Sequence, residues 1–151
     1  MSLEKIVIGG DHGGFVLKKA IVNYLKKKGL IVKDVGTFSE KSVDYPDTAY
    51  KVARHVSRHK SWRGILICKS GIGNAIVANK VKGVRAALCY TIKSARLSRL
   101  HNYANVLVLG SMFVSEERAK KIVEVWLKTP FEGGRHLRRV RKIERIERLC
   151  A

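Results

Sequence analysis

Gly64-Ile-Leu-Ile-Cys68, followed by Lys69-Ser-Gly-Ile-Gly73, is a continuous apolar run closed by a glycine-rich break. Apolar without alternation, the run reads as a strand covered on both faces, which is the habit of a parallel sheet between two helical layers. The break opens a helix to about Lys80. Upstream, Ile6-Val-Ile8 has the same character and ends in Gly9-Gly-Asp-His-Gly-Gly14. Val16, Leu17, Ala20, Ile21, Tyr24 and Leu25 then share one helix face, with Lys18, Lys19 and Lys26 to Lys28 on the outer side and Gly29 as the stop. Leu30 to Val35 is a second strand, and Ala49, Val52, Ala53 and Val56 mark a second helix. Downstream come a strand at Val84 to Cys89, a helix from about Lys93, a strand at Asn105 to Leu109 and a helix from Ser115 to Lys128. Ser115 suits the N-cap, and Glu116 and Glu117 suit the first turn.

Strands alternating with helices predict an α/β fold. The expected architecture is a three-layer α/β/α sandwich on a five-stranded parallel sheet, Rossmann-like, with strand order beginning 2-1-3. One domain covers residues 1–151. Its last segment, 136–151, is a basic helix of another kind. Leu137, Val140, Ile143, Ile146 and Leu149 recur every third residue, a stripe that drifts by about 60° per step on a helix. Such a helix wraps across a partner subunit better than it faces a single core.

Of the 151 residues, 31 are Lys or Arg and 12 are Asp or Glu, a formal charge of +19. That excess points to an anionic partner. With 46% apolar residues and 2 prolines, the chain is no disordered polycation. The cations are spread over several helices and the aromatics do not interleave with them, so no specific nucleic-acid partner is expected. The first residues hold no signal-peptide core, and no apolar run approaches the ~20 residues of a membrane span. Three widely spaced cysteines, Cys68, Cys89 and Cys150, argue against a disulfide framework and for the cytoplasm. Zinc-ligand spacing is absent from the sequence.

In open parallel sheets ligands bind at the carboxyl ends of the strands where the order reverses, here between the first and third. The two glycine-rich turns follow those two strands. One delivers Asp11 and His12, the other Cys68 and Ser70. Each fragment alone also suits an ordinary polar turn or core cysteine; their coincidence at one crevice makes a site. The expected helix end and nearby cations favour a thiolate at Cys68. Neither turn matches a Walker loop or the dinucleotide spacing, although Asp34 ends the second strand. Arg135 and Arg139 are one helical turn apart and can clamp a phosphate.

These pieces in this order resemble the ribose-5-phosphate isomerase B and galactose-6-phosphate isomerase family. The resemblance runs through Gly10-Asp-His-Gly, Asp44-Tyr-Pro, Gly64-Ile-Leu-Ile-Cys-x-Ser-Gly-Ile-Gly, Ala78-Asn-Lys, Gly83-Val-Arg-Ala, Leu97-Ser-Arg-Leu-His-Asn-x-Ala-Asn105 and Phe131-Glu-Gly-Gly-Arg-His. It implies an aldose–ketose isomerisation through an enediolate, without metal or other cofactor, on a sugar phosphate: ribose 5-phosphate, or alternatively the six-carbon allose 6-phosphate or galactose 6-phosphate. By the same resemblance Cys68 moves the proton, and Ser70 with the N–H groups of Gly71, Ile72, Gly73 and Asn74 stabilises the enediolate. His101 assists ring opening, Asp11 and Asn102 contact the sugar, His12, Arg135 and Arg139 hold the phosphate, and Tyr45 lines the site. The family implies a homodimer or homotetramer with a shared site. Lys69, Ser70, Asn74 and Met112 stand where relatives usually carry Gly, Thr, Met and Arg.

Overall fold

The computed structural model describes residues 3–151, so positions 1 and 2 of the expected 1–151 domain lie outside the described residues. Five strands, β1 (Lys5–Gly10), β2 (Ile31–Asp34), β3 (Trp62–Cys68), β4 (Ala86–Leu88) and β5 (Val106–Gly110), form one sheet in the order β2-β1-β3-β5-β4. Every pairing is parallel. Six helices accompany them: α1 (Phe15–Lys27), α2 (Tyr45–Arg58), α3 (Ile72–Ala78), α4 (Ile92–Leu100), α5 (Glu116–Lys128) and α6 (Arg135–Leu149). The expected α/β sandwich and its 2-1-3 start are borne out. Among the described residues no helix is long and apolar enough to cross a membrane.

Successive side chains of a strand face opposite layers, and the two cores divide accordingly. Ile6, Ile8, Ile65, Ile67, Leu107 and Leu109 pack against Leu17, Ile21 and Leu25 of α1, Ala95 of α4, and Ile122 and Trp126 of α5. On the other face Val7, Leu66, Val106 and Val108 meet Ala49, Val52, Ala53 and Val56 of α2 and Ala78 of α3. Both faces of the sheet are buried, which is why β1, β3 and β5 carry apolar residues without alternation.

Local chemistry sets the boundaries. Ser115 caps α5 by accepting from the Arg118 N–H at 3.2 Å, with Glu116 and Glu117 in the first turn as expected. Thr91 and Ser94 form a reciprocal cap on α4. The fourth strand is shorter than the sequence predicts because asparagine side chains occupy its approach. Asn105 Oδ1 accepts from Arg85 N–H at 2.7 Å, and the Asn79 amide pairs with both the N–H and the carbonyl of Ala86. Asn79 thereby also ends the third helix at Ala78, short of Lys80.

Lys18 departs from its expected place on the outer side of α1. Its side chain is 1% exposed, and Nζ lies 2.7 Å from both oxygens of Asp34 and above the Phe38 ring. Asp34 also accepts from Gly36 N–H at 2.9 Å, so it is occupied and unavailable to a ribose. Asp34→Ala strands a buried ammonium and is expected to cost about 3 kcal/mol, near the low end for such a loss because the carboxylate is partly exposed. Urea denaturation checks this, and adding Lys18→Met to the same chain should recover most of the loss.

The terminal helix stands apart. It follows Gly133 and Gly134, both at positive φ, and of its side chains only His136 and Val140 are buried. Leu137, Ile143, Ile146 and Leu149 of the predicted stripe remain exposed. Glu147 tethers the helix by accepting from Gly83 N–H at 2.8 Å, and Glu144 stands 3.8 Å from Arg85.

Candidate active site

The carboxyl ends of β1, β3, β4 and β5 build one cluster. Directly after β1, Asp11 caps a single 3-10 turn, His12–Gly14, by accepting from the N–H groups of Gly13 (3.0 Å) and Gly14 (3.3 Å). His12 Nδ1 accepts from Val43 N–H at 3.2 Å. The neutral ring therefore carries its proton on Nε2, as a donor. Gly10 and Gly14 press against the Ile67 carbonyl so closely that neither site has room for a Cβ. This contact brings the Asp11 turn against the end of β3.

Cys68, the last residue of β3, is buried. Its Sγ accepts from Gly71 N–H at 3.1 Å, and Ser70 Oγ accepts from Ile72 N–H at 3.2 Å. Gly71 sits at φ +85°, where a side chain would be strained, and it turns the chain into α3. The Tyr45 ring at the start of α2 lies against Gly73, filling the space a Cβ would take. Asn74 is fully buried, with neither amide atom hydrogen-bonded among the described residues.

The expected thiolate preference of Cys68 is not what its surroundings give. Burial pushes the thiol up, and the neighbouring charge of Asp11 adds to that. The N–H groups of Gly71, Asn74 and Ser70 act the other way and offset part of the rise. No cation contributes, because Lys69 turns out to solvent. The polar groups at the turn are backbone dipoles, and they do not outweigh desolvation.

Two supports escaped the sequence reading. Tyr90, two residues beyond β4, donates its hydroxyl to the Ser70 carbonyl at 2.8 Å. Ser111, just after β5, donates Oγ–H to the Gly13 carbonyl at 2.7 Å and its N–H to the Cys68 carbonyl at 2.9 Å. Both follow the ends of strands, so the carboxyl-end rule could have found them once those strands were placed.

The remaining candidates gather at the opposite end of the sheet. His101 caps the C-terminus of α4, and Asn102 follows it, exposed. The chain then enters β5, whose Val106 pairs with Gly64, two residues into β3, while Gly110 pairs with Cys68 at its end. At ~3.3 Å per residue, the strand from Gly64 to Cys68 spans about 13 Å. Arg135 and Arg139 are exposed on one side of α6 and belong to this second group, because His136 beside them stacks on His101 with ring centroids 4.2 Å apart. One chain thus holds Asp11, His12, Tyr45, Cys68 and Ser70 at one end, and His101, Asn102, Arg135 and Arg139 at the other.

A sequence model described as Ribose/Galactose Isomerase matches residues 6–143, nearly the full chain. The chain belongs to this family. Ribose-5-phosphate isomerase B of Escherichia coli strain K12 is 48% identical over 145 residues, covering 96% of this chain and 97% of that protein. Among solved structures, ribose-5-phosphate isomerase B of Clostridium thermocellum has a TM-score of 0.95 at 51% identity, covering 97% of this chain and 99% of that one. The Mycoplasma genitalium ribose-5-phosphate isomerase B, solved with bound ribulose-5-phosphate, has a TM-score of 0.93 at 48% identity over 98% of both chains. The family expected from the motifs is the family found.

Proposed function

We infer that the protein is an isomerase interconverting ribose 5-phosphate and ribulose 5-phosphate. One observation carries the reading: a chain 48% identical and aligned end to end with this one is a ribose-5-phosphate isomerase B with bound ribulose-5-phosphate. The Cys68 turn supplies matching chemistry. A thiolate there takes the C2 proton of the open-chain aldose, and the C2 electron pair moves into the C1 carbonyl to give an enediolate. The thiol returns the proton to C1 while the O2 proton passes to O1, leaving a C2 ketone. Negative charge on the oxygens is met by the Ser70 hydroxyl and the N–H groups of Gly71 to Asn74. No step in this scheme calls for a metal or another cofactor.

The second group of residues completes the scheme. Ring opening needs a proton moved onto the ring oxygen, the role of His101, with Asn102 and Asp11 on the sugar hydroxyls. His12 Nε2–H, Arg135 and Arg139 suit the phosphate, whose remote binding energy holds C2 at the base. Because these groups sit at opposite ends of the sheet, each complete site draws Cys68 from one subunit and His101, Arg135 and Arg139 from another. A homodimer is the smallest assembly that satisfies this, and the exposed stripe of α6 supports a helix lying on a partner. The three free cysteines suit a cytoplasmic protein.

Purified protein is expected to convert ribose 5-phosphate with a higher kcat/KM than allose 6-phosphate or galactose 6-phosphate. A preference for either hexose phosphate moves the assignment to the six-carbon reaction. The raised thiol makes a further prediction. The base is the thiolate, so raising pH increases its fraction, and kcat/KM should climb from about pH 7 to about pH 9. A flat profile over that range removes the thiolate from the role.

A further inference from the structure

The two glycine-rich turns of the crevice meet at one residue. Ser111, just after β5, directs one donor to each: its N–H donates to the Cys68 carbonyl at 2.9 Å, and its Oγ–H to the Gly13 carbonyl at 2.7 Å. The two ties differ in kind. On the Cys68 side the bond is one rung of a backbone ladder, since Gly110 pairs with Cys68 and Met112 N–H donates to the Lys69 carbonyl at 3.0 Å. Gly110 also lies against the Ser70 carbonyl with no room for a Cβ. On the Asp11 side the tie is the hydroxyl alone. The base of that turn is wedged where Gly10 and Gly14 press on the Ile67 carbonyl. Its tip, His12-Gly13, rests on Ser111 and on Lys69, whose Cβ is 3.2 Å from where a Gly13 Cβ would stand.

We propose that Ser111 is a positioning residue for the isomerisation, whose hydroxyl fixes the distance between the turn that holds the substrate phosphate and the turn that carries the base. This rests on the reading of Cys68 as the base and of His12 as a phosphate contact. The phosphate and C2 belong to one molecule but are gripped by different turns, so the separation of the turns has to match that of the two groups. The hydroxyl bond is at the preferred length for an O–H···O pair. Without it the turn stays anchored at Gly10 and Gly14, near Asp11, while the tip that bears His12 is free to lift. A drift of about an ångström there leaves the phosphate bound but C2 misplaced at the thiolate, which can cost up to about a hundredfold in rate. Ser111 thus acts through Gly13 on His12 and takes no part in proton transfer.

Ser111→Ala keeps the N–H bond to Cys68 and removes only the hydroxyl tie. Its kcat/KM for ribose 5-phosphate should fall about tenfold, with rates referred to folded protein by circular dichroism at the assay temperature. The deciding measurement is a double-mutant cycle with His12→Asn, which removes the Nε2 donor and retains a side-chain acceptor for Val43 N–H. In the His12→Asn background, Ser111→Ala should cost less than about twofold, because the residue it positions is already gone. Equal losses in the two backgrounds overturn the proposal, since a general loosening of the fold gives that result. Wild-type turnover in Ser111→Ala overturns it as well. The pH profile reads the other turn. The surroundings of the thiol are untouched, so kcat/KM of Ser111→Ala should rise over the same pH range as in the wild type; a displaced rise means that the Cys68 turn has moved, and overturns the assignment to His12. If the wild type itself does not turn over ribose 5-phosphate, the underlying reaction fails, and these outcomes are distinct from that one.

Discussion

Cys68→Ala should lower turnover of ribose 5-phosphate by about a thousandfold or more, with the fold retained. The C2 proton of the sugar is weakly acidic, and a positioned base contributes about 10²–10⁴ in rate. No other group at the carboxyl end of β3 can take over. Asp11 holds the N–H groups of Gly13 and Gly14 with Oδ1, which leaves its other oxygen for the sugar hydroxyls, and a carboxylate is a weaker base than a thiolate; His12 Nδ1 is committed to Val43. Loss of one sulfur from a buried strand end leaves a small cavity and costs about 1 kcal/mol, so circular dichroism and melting should show a folded protein. Cys68→Ser should rescue little, because a serine hydroxyl is a far poorer base than a thiol. Near-wild-type turnover of Cys68→Ala would discard the proton-transfer scheme outright.

The second large effect is a gain. Cys68→Ala and the double variant Arg135→Ala, Arg139→Ala should each be nearly inactive alone. Co-expressed, they should recover roughly a quarter of wild-type activity. Random pairing makes half of the dimers mixed, and a mixed dimer holds one intact site of two. The intact site takes Cys68 from the arginine-deficient chain and both arginines from the other. The expectation depends on the two groups lying at opposite ends of one sheet. If the mixture stays as inactive as its components, each chain must complete its own site, and α6 would have to fold back over the carboxyl ends of its own strands.

Much of this was legible in the sequence because burial and turn chemistry are local. Gly64 to Cys68 has to be a two-face-buried strand, and Gly71 and Gly73 have to turn the chain after it. The positions of Asp11, Cys68 and Ser70 at one crevice follow from those two facts. Lys18 was misplaced because helical periodicity shows which face a residue occupies but not that Asp34 waits across the chain for its ammonium. The thiol of Cys68 was misjudged for a related reason. A glycine-rich turn before a helix signals favourable N–H groups, whereas the desolvation that opposes them comes from residues far along the chain. The burial of His136 carries no local signal; it depends on α6 meeting the end of α4, a contact between segments more than thirty residues apart.

The two edge strands, β2 and β4, are also the shortest, four and three residues long. Neither edge offers a ladder long enough to template another sheet, and Lys33 and Asp34 add charge to one of them. Copies of this protein are therefore steered away from strand-to-strand growth, the open-ended route to fibres. Association is left to the helices and to the two ends of the sheet, where a pairing between two subunits closes on itself.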